Sequence, residues 1–498
     1  MEMRLKVASV CLLGLLVGSL GSVQAQTVSI ITGQGTSDAS GIPASQARMN
    51  AASTTVVAPD GTVYFTEQNG RVRKITPAGI ISTIAGRDVF DCGFAGDGGP
   101  AIAARLCYPT GIARDSAGNL YIADGGNNRI RRIAATTGVI TTIAGNHDYM
   151  GDQNFSGDGG PAIDAGLDWP SWMAFAANGD LYFSDEGNNR VRKITPAGII
   201  STVAGSGPVG WSWPEQSYAG DGGPATAALL NGVQGLAFDS HGNLYIADLA
   251  NHRIRMVTPA GVISTIAGSG PHGGSIGGSI GGFSGDGGSA LAAQLSRPQG
   301  LAIDAADNLY VADANNYRIR KITPGGMIST VVGNGTMEVM DGAQASQTGI
   351  QPWSVSTNAS GDLYIDHLFG ARGMLLKVDM PTVCGQGSGG AACVVNGVEE
   401  GIVGALDAGQ ITRQTATALL RQLELIQANL SRLQANPSNL QRLQTSSSST
   451  MTKYATCIGI LLFNGTLDFF VQIRRLPSSY RDSWKVDMRN VSARIGCR

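Results

Sequence analysis

Short runs rich in β-branched and apolar residues, divided by polar turn residues, recur along most of the 498-residue chain. Residues 108–145 read YPTGIARDSAGNLYIADGGNNRIRRIAATTGVITTIAG. Within them 112–114, 120–124, 129–133 and 139–144 are expected strands, separated by Ser-Ala-Gly-Asn, Gly-Gly-Asn-Asn and Thr-Thr-Gly turns. Near copies occupy 169–205, 233–268 and 298–333, with a weaker one at 52–86. The equivalent tyrosines Tyr64, Tyr121, Tyr182, Tyr245, Tyr310 and Tyr364 follow at steps of 57, 61, 63, 65 and 54 residues, which makes six copies. A four-stranded unit cannot bury both faces alone, so neighbours must stack around an axis. The expected fold is all-β, a six-bladed β-propeller over residues 26–378.

The sixth copy, residues 353–378, ends after its third strand. Residues 28–33, VSIITG, resemble 327–333, MISTVVG, which is the fourth strand of the preceding copy. The N-terminal strand is therefore expected to complete the last blade and close the ring, pairing an otherwise open edge.

Composition sharpens this picture. Gly supplies 70 residues, about twice the ordinary ~7%, and charged residues only 14% against about 25%. The glycine has no three-residue period, so collagen is excluded, and the low charge argues against coiled coils and helical solenoids. A net charge of -2 gives no global attraction to nucleic acid or anionic membrane.

The N-terminal residues 1–25 read as a cleaved signal peptide: Arg4 and Lys6 precede an apolar run too short to span a membrane, and Val23-Gln24-Ala25 offers small residues at a cleavage site. No later stretch is long enough for a transmembrane span. Secretion or a periplasmic location follows. Of seven cysteines, Cys11 lies in the leader; the other six admit 15 pairings. Nearest-neighbour disulfides, Cys92 with Cys107, Cys384 with Cys393 and Cys457 with Cys497, suit an oxidising compartment, and no pair has the spacing of a zinc knuckle.

Beyond the repeats, residues 379–398 form a Gly-rich linker. Residues 399–443 are expected to be a small helical module, with Leu419, Leu423, Ile426, Leu430 and Leu433 on one stripe. Residues 451–498 are expected to be a disulfide-tied C-terminal segment with a turn at Asn464-Gly465.

The pattern NLYIADGGNNRIRRI, with its variants NLYIADLANHRIRMV and NLYVADANNYRIRKI, resembles the NHL repeat found in many secreted bacterial propellers. The resemblance covers about residues 27–378. It implies a propeller whose relatives serve as protein- or RNA-binding modules, receptor-kinase sensor domains or a zinc-dependent peptidyl-hydroxyglycine lyase. RNA binding does not suit an exported chain of near-neutral charge. The lyase needs a central histidine-bound zinc and a general base. The inner strands here begin PTGIA, PSWMA, VQGLA, PQGLA and PWSVS, with neither His nor carboxylate, and the acidic metal ligands of a gluconolactonase-like hydrolase also lack counterparts.

Candidate chemistry falls on the face shared by the second-to-third-strand loops and the blade crossings, the upper face. A crossing motif, 94–101 FAGDGGPA, recurs at 155–162, 218–225 and 283–290. It offers a calcium or anion site or an architectural joint, and fourfold repetition favours the joint. The acid ending each second strand is expected to pair with the Arg opening the third: Asp124 with Arg129, Asp185 with Arg190, Asp248 with Arg253, Asp313 with Arg318, Asp366 with Arg372, and Glu67 with Arg71. Residues that break the repeat are better candidates for function. Trp169, Trp172, Trp211, Trp213 and Trp353 are expected to form a ligand-binding surface for a protein, peptide or glycan. His147, His252, His272 and His367 share that face and could hold zinc if three converged. The expected activity is non-catalytic recognition without a cofactor; the alternative is a metal-dependent lyase or lactonase-like hydrolase at the channel mouth.

Overall fold

The computed structural model describes residues 26–87, 92–146, 155–207, 218–270, 282–369 and 372–380. Six antiparallel sheets form the blades of a β-propeller. Blade 1 uses Ala52–Val57, Val63–Glu67, Arg71–Ile75 and Ile80–Gly86 from the inside outward. Blade 2 uses Pro109–Arg114, Leu120–Asp124, Arg129–Ile133 and Ile140–Ala144, so the inner strand begins three residues earlier than the turn pattern suggests. Blades 3, 4 and 5 begin at Pro170–Phe175, Val233–Phe238 and Pro298–Ile303.

Blade 6 is built from both ends of the ring. Pro352–Thr357, Leu363–Phe369 and Arg372–Val378 supply three strands, and Val28–Thr32 pairs antiparallel with the last, Val28 opposite Val378. The side chains of Val28 and Thr32 are buried. The expected non-covalent closure is therefore the observed one.

The core lies between blades rather than within them. Ala113, Ala123 and Ile130 of blade 2 pack against Leu181, Phe183 and Ile194 of blade 3, and corresponding clusters fill the other interfaces. Ala52, Phe65 and Ile75 of blade 1 meet Tyr364 and Leu375 of blade 6, which completes the circle. Alternating side chains cover both faces of each sheet, as stacking demands.

The crossing motif is an edge cover. In blade 2 Gly98 N donates to Ile140 O, Ile140 N to Gly99 O, and Ala101 N to Gly138 O, so the crossing satisfies the open edge of the outermost strand it passes. At blade 6 the strand so covered is the N-terminal one: Val28 N donates to Ala343 O and Ile30 N to the Asp341 carboxylate. The crossing aspartates are already engaged. Asp97 accepts from the Arg131 guanidinium and from Thr142 N, and Asp158, Asp221 and Asp286 likewise meet Arg192, Arg255 and Arg320.

The expected ion pairs need correction. Glu67 does bind Arg71 at 2.9 Å. In blades 2 to 5, however, the strand acid meets the arginine two residues further on: Asp124 with Arg131, Asp185 with Arg192, Asp248 with Arg255 and Asp313 with Arg320, at 3.2–3.4 Å. Backbone register does place Asp124 opposite Arg129. Arg131, two residues along and on the same sheet face, lies fully buried between two carboxylates and serves both, whereas the earlier arginine sits nearer the rim. Arg190, Arg253 and Arg318 donate instead to backbone carbonyls, such as Asn188 O, Asn251 O and Asn316 O. They also stack on the crossing aromatics Phe155, Tyr218 and Phe283 at 3.8–3.9 Å. Asp366 lies opposite Leu375, while Arg372 pairs with Phe369 in the ladder; Asp366 instead accepts from Thr55 and Ser354.

Cys92 and Cys107 form a disulfide across the crossing into blade 2. Its loop of 15 residues corresponds to about 3 kcal/mol of stabilisation. The expected leader, Cys384, Cys393, Cys457, Cys497, the expected helical module and the expected C-terminal segment lie outside the described residues. Among the described residues no helix is long and apolar enough to cross a membrane.

Candidate functional site

Strand register puts the six inner strands on a common scale. Ile112, Met173, Leu236, Leu301, Val355 and Thr55 each face the third residue of the adjoining second strand. One residue earlier stand Gly111, Trp172, Gly235, Gly300, Ser354 and Thr54. Two residues earlier stand Thr110, Ser171, Gln234, Gln299, Trp353 and Ser53. In blades 2, 4 and 5 the glycine is required, because a Cβ at Gly111, Gly235 or Gly300 would overlap the backbone of the next inner strand. Trp172 breaks the small-residue ring in blade 3, and Trp353, in the opposite blade 6, stands in the ring one residue before it. Their rings stack with centroids 6.3 Å apart.

Above them lies a cavity of about 370 Å³ at the axis, to which all six blades contribute. Trp169, Trp172, Trp353 and Tyr108 form its aromatic walls. Gln68, Thr110, Gln234 and Gln299 add polar groups, and Glu186 and Arg297 are its charged lining residues. Tyr108, Trp169 and Arg297 occupy equivalent positions just before the inner strands and hold positive φ of 43°, 52° and 50°. Blade 4 has Gly232 there, with φ 66°. Bulky residues in this conformation are uncommon, and the backbone is held by the preceding blade. Trp169 N donates to Asn128 Oδ1, Gly232 N to Asn189 Oδ1, and Arg297 N to His252 Nδ1.

That repeated bond accounts for one candidate histidine. His252 stands where other blades have Asn128 and Asn189 and does the same work, with its ring buried. His367, in blade 6, accepts from Gln351 N through Nδ1, and burial pushes its pKa down to about 4. His147, His272, Trp211 and Trp213 lie outside the described residues. Among the described residues no three His, Cys, Asp or Glu side chains gather to hold a metal.

The charged residue that sequence reasoning missed is Glu186. It follows the strand acid of blade 3, at a position filled by Gln68, Gly125, Leu249, Ala314 and His367 in the other copies. It is the acid among six equivalents, a signal hidden because the repeated Asp and Asn-Arg around it attract the reading. Burial pushes its carboxyl up to about 8, with Asp168 adding to the rise and Ser171, Gln234 and Arg297 opposing it. Asp168 is itself raised by burial, and its Oδ2 has no hydrogen-bond partner. Gln234 Oε1 and Gln299 Oε1 are likewise buried without partners. Such orphaned groups are costly, and a bound polar ligand or water answers them.

The pH consequence has a definite sign. An acid whose folded pKa lies above its unfolded value stabilises the fold fully below the unfolded pKa, here about 4.5, and that contribution is lost as pH rises through about 8. Glu186→Gln should flatten the fall in stability across that window by up to about 1.4 kcal/mol per pH unit. Urea denaturation of both proteins between pH 5 and 9 checks this, and parallel curves would show that Glu186 titrates normally.

The teneurin NHL domain model matches residues 88–153, 211–276 and 282–367. Human Teneurin-4 is 35% identical over 281 residues, 53% of this chain and 10% of that protein. Chicken Teneurin-1 is 35% identical over 240 residues, 47% of this chain and 9% of that protein. The chain thus spans about a tenth of the length of the curated relatives it matches. Among solved structures, a protein of unknown function from Bacteroides thetaiotaomicron aligns with a TM-score of 0.50 at 18% identity, covering 71% of this chain and 76% of that one. Over the matched stretches the repeats are similar to those of the NHL domain, and the neighbour shares the fold.

Proposed function

We propose that this NHL-type propeller is an exported, non-catalytic recognition module that takes an exposed group of a peptide or protein into the mouth of its channel. The observation that carries the reading is the convergence of Trp169, Trp172, Trp353 and Tyr108, from three different blades, on one cavity of about 370 Å³. Aromatic anchors in a preformed, partly desolvated pocket are the usual seat of binding energy in recognition surfaces. The side chains that give the ring its shape are absorbed in the blade joints, so the residues that break the repeat are the ones left for a ligand. The leader-like N-terminal sequence and the Cys92–Cys107 disulfide support an oxidising, extracytoplasmic setting.

The test is a combined peptide and glycan array with the full chain and a Trp169→Ala/Trp353→Ala variant. Peptide binders should appear with the wild type, and the variant should bind them at least about 30-fold more weakly, as loss of anchor residues worth 2 kcal/mol or more requires. A profile unchanged in the variant would move the ligand elsewhere, and binders confined to glycans would change the ligand class.

A further inference from the structure

Building on that reading, we infer that the Glu186 side of the cavity is a subsite for a primary ammonium group, supplied by a lysine side chain or a free amino terminus of the bound peptide. Gln234 and Gln299, both lining the cavity and less than 8% exposed, each leave Oε1 without a hydrogen bond. Glu186 lines the same cavity and is buried. The unanswered atoms of the lining are thus the two amide oxygens, acceptors beside the Glu186 carboxyl. An R–NH₃⁺ group carries three donors and a positive charge on one atom, which matches this set.

The walls agree. Trp172 and Trp353 present stacked indoles and Trp169 a third, and aromatic faces attract a cation as well as its alkyl stem. The charge balance agrees too. The charged and titratable groups around Glu186 are Asp168, Arg297 and the Tyr108 phenol, so two acids face one cation. An incoming cation would let Glu186 ionise, with its proton passing to solvent. A quaternary ammonium, which has no N–H, would leave both amide oxygens unpaired. A neutral sugar could donate hydrogen bonds but would bring no charge to Glu186.

Calorimetry on the full chain at pH 7 tests the inference with n-butylammonium, tetramethylammonium and methyl glucoside as probes. Butylammonium is expected to bind saturably, at least about tenfold tighter than tetramethylammonium. Its enthalpy should depend on the buffer used, because Glu186 releases a proton; that readout would not arise from a merely structural role. Glu186→Gln should weaken butylammonium at least tenfold and abolish the buffer dependence. Equal binding to wild type and variant, equal binding of the two cations, or preference for the glucoside would overturn the inference. Two further probes separate the sources: Nα-acetyl-lysine amide offers the side-chain amine, and Gly-Ala-Ala amide offers the terminal one. If Glu186→Gln keeps the wild-type peptide-array profile while the double Trp variant loses it, recognition at the mouth stands and the ammonium subsite falls. An array without any peptide binder removes the recognition reading itself.

Discussion

Arg255→Met is expected to destabilise the propeller by about 3–5 kcal/mol, a fall of roughly 4–7 °C in melting temperature, while Arg253→Met costs less than half as much. Arg255 is fully buried between Asp248 at 3.2 Å and Asp221 at 2.6 Å, and it also donates to Leu229 O and Ala219 O. Methionine keeps much of the volume but strands the Asp248 carboxylate, which is fully buried. Burial already raises Asp248 to about 6, and its partners Asn231, Asn251 and Arg255 are what restrain the rise. Without the guanidinium the acid must be protonated or hydrated, and either opens the joint between crossing and blade. Arg253 is only half-buried, donates to two carbonyls and lies over Tyr218 at 3.8 Å. Its loss therefore leaves no charge uncompensated. Thermal denaturation of the two single variants distinguishes them, and equal losses would mean that the strand acid does not depend on the inner arginine.

Deleting residues 26–34 should have a second large effect. The segment supplies Val28–Thr32, the outermost strand of blade 6. Val28 belongs to the cluster between blades 5 and 6, and Ile31 packs on the one between blades 6 and 1. Removing this apolar burial costs on the order of 3–5 kcal/mol, and the freed edges of the preceding strand and of residues 342–345 add to it. A fall of more than about 4 °C is expected. A synthetic peptide of residues 26–34 added in trans should restore part of it, since closure is non-covalent. An unchanged melt, or no rescue by peptide, would show that the ring does not depend on this strand.

How much of this was legible beforehand varies by residue. Glycines, turn residues and β-branched runs are local signals, and each recurs, so the strands, the six copies and the borrowed strand of blade 6 are readable from the chain. The face on which Trp169, Trp172 and Trp353 gather is readable too, because alternation of strand direction assigns every loop to one end of a blade. The ion pairs show the limit. Sequence separation identified Asp248 and the arginine directly across from it, but the partner is Arg255, two residues deeper, because a long side chain chooses by burial and by the second carboxylate at Asp221. His252 looked like a departure from the pattern and is instead a substitute for Asn as acceptor to the next blade.

Sequence by itself thus determined the scaffold: hydrophobic pattern, turn chemistry and repetition are short-range properties, and a repeated unit allows few ways to bury its faces. Tertiary structure alone decided which singular residues meet. Trp172 and Trp353 are separated by 181 positions yet stack across the axis, and Glu186 becomes a candidate only once Gln234, Gln299 and three indoles surround it. Convergence at an axis depends on the sum of six blade rotations, and no local stretch of chain encodes that sum.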